Sequence, residues 1–129
     1  MKPKIDISLH GDKLKIKSVE DLLKKYPKIK CKFYPVWELG ELQKRGRPDR
    51  IGKPWDSGFC WILGITIANA NKLFPHLKSL NVDEFSITVQ QRDIKCQEGY
   101  WLDRDFIQLA ARMDAYVEIC DFKRKTNKS

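Results

Sequence analysis

Five basic side chains crowd into ten positions of this sequence: Lys44, Arg45, Arg47, Arg50 and Lys53. Trp37 precedes them and Trp55 follows directly, ahead of the apolar run GFCWILGITIA. An arginine guanidinium is a rigid planar fork that fits phosphate or carboxylate with two hydrogen bonds. Tryptophan and arginine are also the residue types that most often anchor protein interfaces. Arg45, Arg47, Arg50, Lys53, Trp55 and Trp37 are therefore the candidate partner-binding residues, read as a charged and aromatic platform. The competing reading of Trp55 is an indole folded back over the edge of the core. Trp61 reads as core.

Catalytic chemistry has less to stand on. His10 and His76 lie far apart, and no Ser-His-Asp order, GxSxG, HExxH or P-loop glycine pattern accompanies them. Asp103 and Asp105 flank Arg104, and Asp12 sits at a turn; such carboxylates usually cap helices or pair at the surface. Hydrolytic carboxylate pairs meet in space rather than in sequence, and nothing here singles one out. Cys31, Cys60, Cys96 and Cys120 form no CxxC, whereas a four-cysteine zinc site shows paired spacing. They read as reduced, buried small hydrophobes. The expectation is a protein that is not an enzyme, with no catalytic residues, no metal and no cofactor.

The net charge of +8 is lopsided. Residues 1–58 hold 15 Lys and Arg against 8 Asp and Glu, a balance of +7; residues 59–129 hold 10 against 9, a balance of +1. That field favours an anionic partner, either a protein with an acidic surface or a nucleic acid. The competing reading is a solvated basic face that serves solubility. At 129 residues, 42% hydrophobic and 33% charged, the chain reads as one domain with a real core. No apolar run approaches bilayer length and no signal-peptide core follows Met1, so a cytoplasmic protein with no membrane partner is expected.

These residues need elements to position them. Lys4 to His10 alternates as a half-buried strand and Gly11-Asp12 turns it. Ser18 reads as the cap of a first helix whose stripe is Val19, Leu22, Leu23 and Tyr26, stopped by Pro27. Residues 28–39 read as a second strand, with Pro35 marking an edge or a bulge. Residues 40–58 form a long basic loop, for which function or disorder is expected. Phe59 to Ala68 is apolar on both faces and reads as a central strand covered on both sides. Asn69 to Leu80 reads as a second helix, regular from near Phe74 because of Pro75, with Asn81 as its stop. Residues 84–92 read as a strand and residues 93–100 as a polar connection or short strand. Asp103 caps a third helix with Phe106, Leu109, Ala110 and Met113 inward. Residues 115–122 close the fold as a strand with Val117 and Ile119 inward, and 123–129 form a flexible tail. The order β-α-β-β-α-β-α-β predicts an α+β fold: a ferredoxin-like core with an added α-β unit, a mainly antiparallel sheet and helices on one face.

Two resemblances attach to these residues. ISLHGD, LLKKYP, GRPDRIGKPWDSGFCW and FIQLAARMDAYVEICDF together resemble the bacterial domain of unknown function 4279 family. That resemblance implies an α+β fold with no established activity, and by analogy an immunity-type protein acting beside a secreted toxin. Separately, Gly58-Phe59-Cys60-Trp61-Ile62 resembles the aromatic third-strand motif of RNA-recognition modules, on which bases stack. It departs at Ser57, where a basic residue belongs, at Gly64, where the last aromatic belongs, and at Asp6, whose carboxylate would repel a nucleic-acid backbone.

Overall fold

Alternating apolar residues along three strands decide which side of the sheet is buried. In β1 (Lys4–Gly11), Ile5, Ile7 and Leu9 are buried to 2% exposure or less. In β3 (Gly58–Thr66) the buried set is Cys60, Ile62 and Ile65, and in β4 (Glu84–Gln90) it is Phe85, Ile87 and Val89. All nine fall in one cluster with residues of three helices: Ile16 and Val19 of α1 (Ile16–Lys24), Ala70, Leu73, Phe74 and Leu77 of α2 (Ile67–Lys78), and Phe106, Leu109 and Met113 of α3 (Arg104–Met113). The helices therefore pack on one face.

This is a computed structural model, and it describes residues 4–90, 95–96, 99–100 and 104–120. The protein is a small α+β chain with a five-stranded mixed sheet. Adding β2 (Lys32–Trp37) and β7 (Tyr116–Cys120), the strand order is β2-β3-β1-β4-β7. Three neighbouring pairs are antiparallel; β4 with β7 is parallel. That fifth strand and its parallel pairing depart from a plain ferredoxin-like sheet. Residues Lys95–Cys96 (β5) and Gly99–Tyr100 (β6) pair as a separate two-stranded ribbon where a polar connection or short strand was expected. The proposed cap Asp103 and the tail 123–129 lie outside the described residues. Among the described residues no helix is long and apolar enough to cross a membrane.

Several boundaries differ from the sequence expectation, each for a physical reason. Helix α1 begins at Ile16, not Ser18, and Ser18 does not cap it. The Ile16 amide instead donates to Glu38 Oε1 at 3.1 Å, so a carboxylate just past β2 does the capping. Strand β3 stops at Thr66, whose hydroxyl accepts from the Asn69 amide at 3.3 Å and starts α2 two residues earlier than expected. Pro75 does not delay α2 but sits exposed inside it. A missing amide there costs about 3 kcal/mol. Leu73, Phe74 and Leu77, buried at about 1.5–3 kcal/mol each, outweigh it. Asn81, just past the helix, takes a left-handed φ of 65°. Pro35 lies on the edge strand beside a register shift, so it marks both an edge and a bulge. Val117 and Ile119 pair with core residues Ile87 and Val89, yet stay 44% and 42% exposed at the other sheet edge.

Gly11 and Gly58 are register partners at the end of β1 and β3, and both are pressed by backbone. A Cβ on Gly58 would collide with the Leu14 carbonyl, and one on Gly11 with the Asn81 carbonyl. Backbone cannot yield as a flexible side chain can. Gly58→Ala is therefore expected to cost about 3 kcal/mol through overpacking. Gly64 has φ +69 but open space around it, so Gly64→Ala should cost about 1 kcal/mol. Urea denaturation of both variants checks the order, and equal losses would contradict it.

Candidate functional site

The sheet has a second face, and among the described residues no helix covers it. Cross-strand pairing arranges it in rows. One row runs Trp37, Phe59, His10, Glu84. The next runs Tyr34, Trp61, Ser8, Ser86, Tyr116. Beyond it, Lys32 sits opposite Leu63, and Thr88 lies between Asp6 and Glu118. Tyr34, Trp37, Phe59 and Trp61 thus collect on the β2–β3 half, while Tyr116, Glu84 and Glu118 lie on the β4–β7 half. This corrects the reading of β3 as covered on both sides and of Trp61 as core: Phe59, Trp61 and Leu63 are half-buried, and Phe59 lies against Trp61, Trp37 and His10.

The basic stretch is an ordered arm rather than a loose loop. Gly40 N–H donates to the Trp55 carbonyl at 2.9 Å and Trp55 N–H to the Glu41 carbonyl at 2.8 Å. Gln43 N–H donates to the Lys53 carbonyl at 2.8 Å and Gly52 N–H to the Gln43 carbonyl at 2.9 Å, with Leu42 bridging Pro54. A single 3-10 turn, Pro48–Arg50, forms the tip. Glu38 braces the root, accepting from the Ile16 and Leu39 amides, both at 3.1 Å.

The six candidate residues divide. Trp37 and Trp55 come together, their rings stacked at 3.9 Å with a 5° interplanar angle. Trp37 also lies 4.9 Å from Phe59, and Phe59 meets Trp61 edge-on at 6.1 Å. An aromatic column therefore joins the arm to the sheet, which answers whether Trp55 folds back: it does, onto Trp37. Arg45, Arg47, Arg50 and Lys53 are all exposed on the arm. Arg47 pairs with Asp49 at 3.4 Å, but both side chains are largely solvated, so the pair contributes little. A platform of guanidinium on indole is not what forms; the cation over a ring is Arg112, 5.2 Å from the Phe74 centroid. Leu42 and Ile51 stand 56% and 52% exposed among the arm's basic residues.

Sequence reasoning did not name Tyr34, His10, Ser57 or Glu84 as binding residues, and met Phe59 and Trp61 only through the RNA-recognition resemblance. The signal lay in the type of apolar residue. Phe59 and Trp61 alternate with Cys60 and Ile62, so one face of β3 was aromatic and the other small or aliphatic.

His10 Nε2 lies 3.1 Å from Ser57 Oγ, and Glu84 is His10's partner on β4. Such a trio suggests nucleophilic catalysis, but the geometry argues otherwise. Ser57 is buried, and its oxygen also accepts from Trp37 Nε1 at 3.5 Å. The shallow pocket of about 310 Å³ beside His10 is lined by Ser8, Trp37, Phe59, Glu84 and Ser86, without Ser57. Among the described residues the Glu84 carboxylate takes no hydrogen bond from His10. Ser57 thus positions His10 and Trp37. His76 hydrogen-bonds the Tyr26 hydroxyl at 3.0 Å on the far side of the fold. Burial pushes the Cys60 thiol up to about 12, with the Glu38 charge adding to it, and burial also raises Cys31; neither is an activated nucleophile. Among the described residues no group of three or more His, Cys, Asp or Glu could hold a metal ion.

No protein-family model, no curated protein and no solved structure matches this chain.

The indole stack gives a direct spectroscopic expectation. Two indoles at 3.9 Å couple their transitions, so the far-ultraviolet circular dichroism should carry an exciton couplet. Trp55→Leu should remove the couplet and lower stability by about 1 kcal/mol through the lost ring pairing. A spectrum and a stability both unchanged by the substitution would mean the rings do not stack in solution.

Proposed function

We propose that this chain is a non-catalytic binding protein, of the inhibitor or immunity type, that engages a partner protein through the basic arm. The carrying observation is that Leu42 and Ile51 stand exposed among Arg45, Arg47, Arg50 and Lys53 on a hydrogen-bonded arm pinned by the Trp37–Trp55 stack. Exposed aliphatic groups amid arginines suit an apolar protein patch with an acidic rim better than they suit a phosphate chain. The charge balance of +7 in residues 1–58 favours an acidic partner and fast, salt-sensitive encounter. The inhibitor reading draws on the family resemblance and on a charged arm suited to occluding a partner's site. In the same reading, β1-α1-β2-β3-α2-β4 is a ferredoxin-like core: β1 lies between β3 and β4, antiparallel to both, and α3-β7 is the addition.

The test replaces Arg45, Arg47 and Arg50 with alanine together. These side chains are exposed, so each change should move stability by no more than about 0.5 kcal/mol. Immobilised wild-type protein should retain a partner from extract of its own source cells at low salt and release it as salt rises. The triple variant should retain none. Equal retention by both would remove the arm from the interface.

A further inference from the structure

We infer that the uncovered β2–β3 half of the sheet is a separate site that binds single-stranded nucleic acid by stacking bases on Trp61 and Tyr34. The two are direct cross-strand partners on that face, and Tyr34 is 54% exposed. Cross-strand partners stand close enough to act as one platform. Trp37 and Trp55 each spend one ring face on the other, and Trp37 also tilts against Phe59, whereas Trp61 meets Phe59 edge-on, at 61°. A solvated sheet face ordinarily carries polar residues. An aromatic pair kept there has flat rings to offer, and nucleobases are flat rings that stack irrespective of sequence.

Charge selects the same occupant. Lys32, exposed, precedes Tyr34 on that face of β2 at the height of Leu63. Lys30, also exposed, lies just before the strand. The acids Glu84 and Glu118 belong to the opposite half. Asp6 keeps its charge but lies on β1, beyond the Ser8–Trp61 row, with its Oδ1 accepting the Gly64 amide at 2.8 Å. The site shares no residue with the arm's Arg45, Arg47 and Arg50, so the two readings can fail separately.

Intrinsic tryptophan fluorescence, titrated with oligouridylate, oligothymidylate and polyglutamate at low salt, is the test. Both oligonucleotides should quench, with affinity falling steeply as salt rises. Tyr34→Ala and Trp61→Leu should each weaken binding about tenfold. Tyr34→Ala touches an exposed edge-strand side chain and its melting curve should match the wild type, so it keeps the test decisive should Trp61→Leu fold poorly. The arm's triple alanine variant should keep the dependence on Tyr34. Quenching by one oligonucleotide only would assign the site to that strand chemistry. Absence of quenching by either, or binding indifferent to both aromatic substitutions, would overturn the inference. Polyglutamate binding as tightly as the oligonucleotides would overturn it too, in favour of an acidic protein surface.

Discussion

One extra residue in β3 governs what each face of the sheet can be. Strict alternation from Cys60 and Ile62 would turn Gly64 inward and Ile65 out to solvent. Instead the ladder sets Ile7 opposite Ile62 but Ile5 opposite Ile65, so β3 carries a residue more than β1 over that interval. Gly64 takes the left-handed conformation at φ +69, and the Asp6 carboxylate collects its amide. This is a glycine bulge with a side-chain clamp. It returns Ile65 to the core, fully buried, a gain of about 1.5–3 kcal/mol. The same device leaves Phe59, Trp61 and Leu63 on the open side. The carboxylate that made this face look hostile to anions is thus part of its backbone architecture.

The arm depends on that face in turn. An excursion of this length would ordinarily lose order, and binding through it would carry the cost of fixing it. Here backbone bonds close it as a narrow ladder, Glu38 ties its root to the first turn of α1, and Trp55 lies on Trp37. The arginines therefore ride on a preorganised support while their own side chains stay solvated. Order lies in the backbone and freedom in the charged tips, an arrangement that lowers the entropic cost of contact without burying charge.

Most of the fold was legible in the sequence because its signals are local. Period-two alternation marked β1 and β4, Val19, Leu22 and Leu23 marked α1 although Tyr26 falls past its end, and Pro35 marked an edge strand with a bulge. What was not legible came from partners distant in sequence. Ser18 is a good cap by type, but Glu38, 22 residues away, reaches Ile16 first. Pro75 should break a helix by local rules, but tertiary burial of Leu73, Phe74 and Leu77 carries α2 through it. Apolar residues on both faces of β3 implied two coverings; on the second face Phe59 lies instead against Trp61, Trp37 and His10. The six candidate residues were legible as a charged and aromatic stretch, but not that the indoles would pair with each other rather than with arginine.

The division of the open face by charge bears on selectivity. A surface meant only for solubility would intersperse its signs. Here the aromatic half adjoins Lys32 and the basic arm, while Glu84 and Glu118 sit three and four strands along from β2. An anion approaching the sheet is drawn toward β2 and the arm and turned away from β4 and β7. Like-charge exclusion of this kind fixes orientation as well as partner, because the reversed pose sets negative against negative. The added strand β7 contributes to this directly: by pairing beside β4 it brings Glu118 onto the open face, so the extension of the sheet adds negative charge to the half away from the arm.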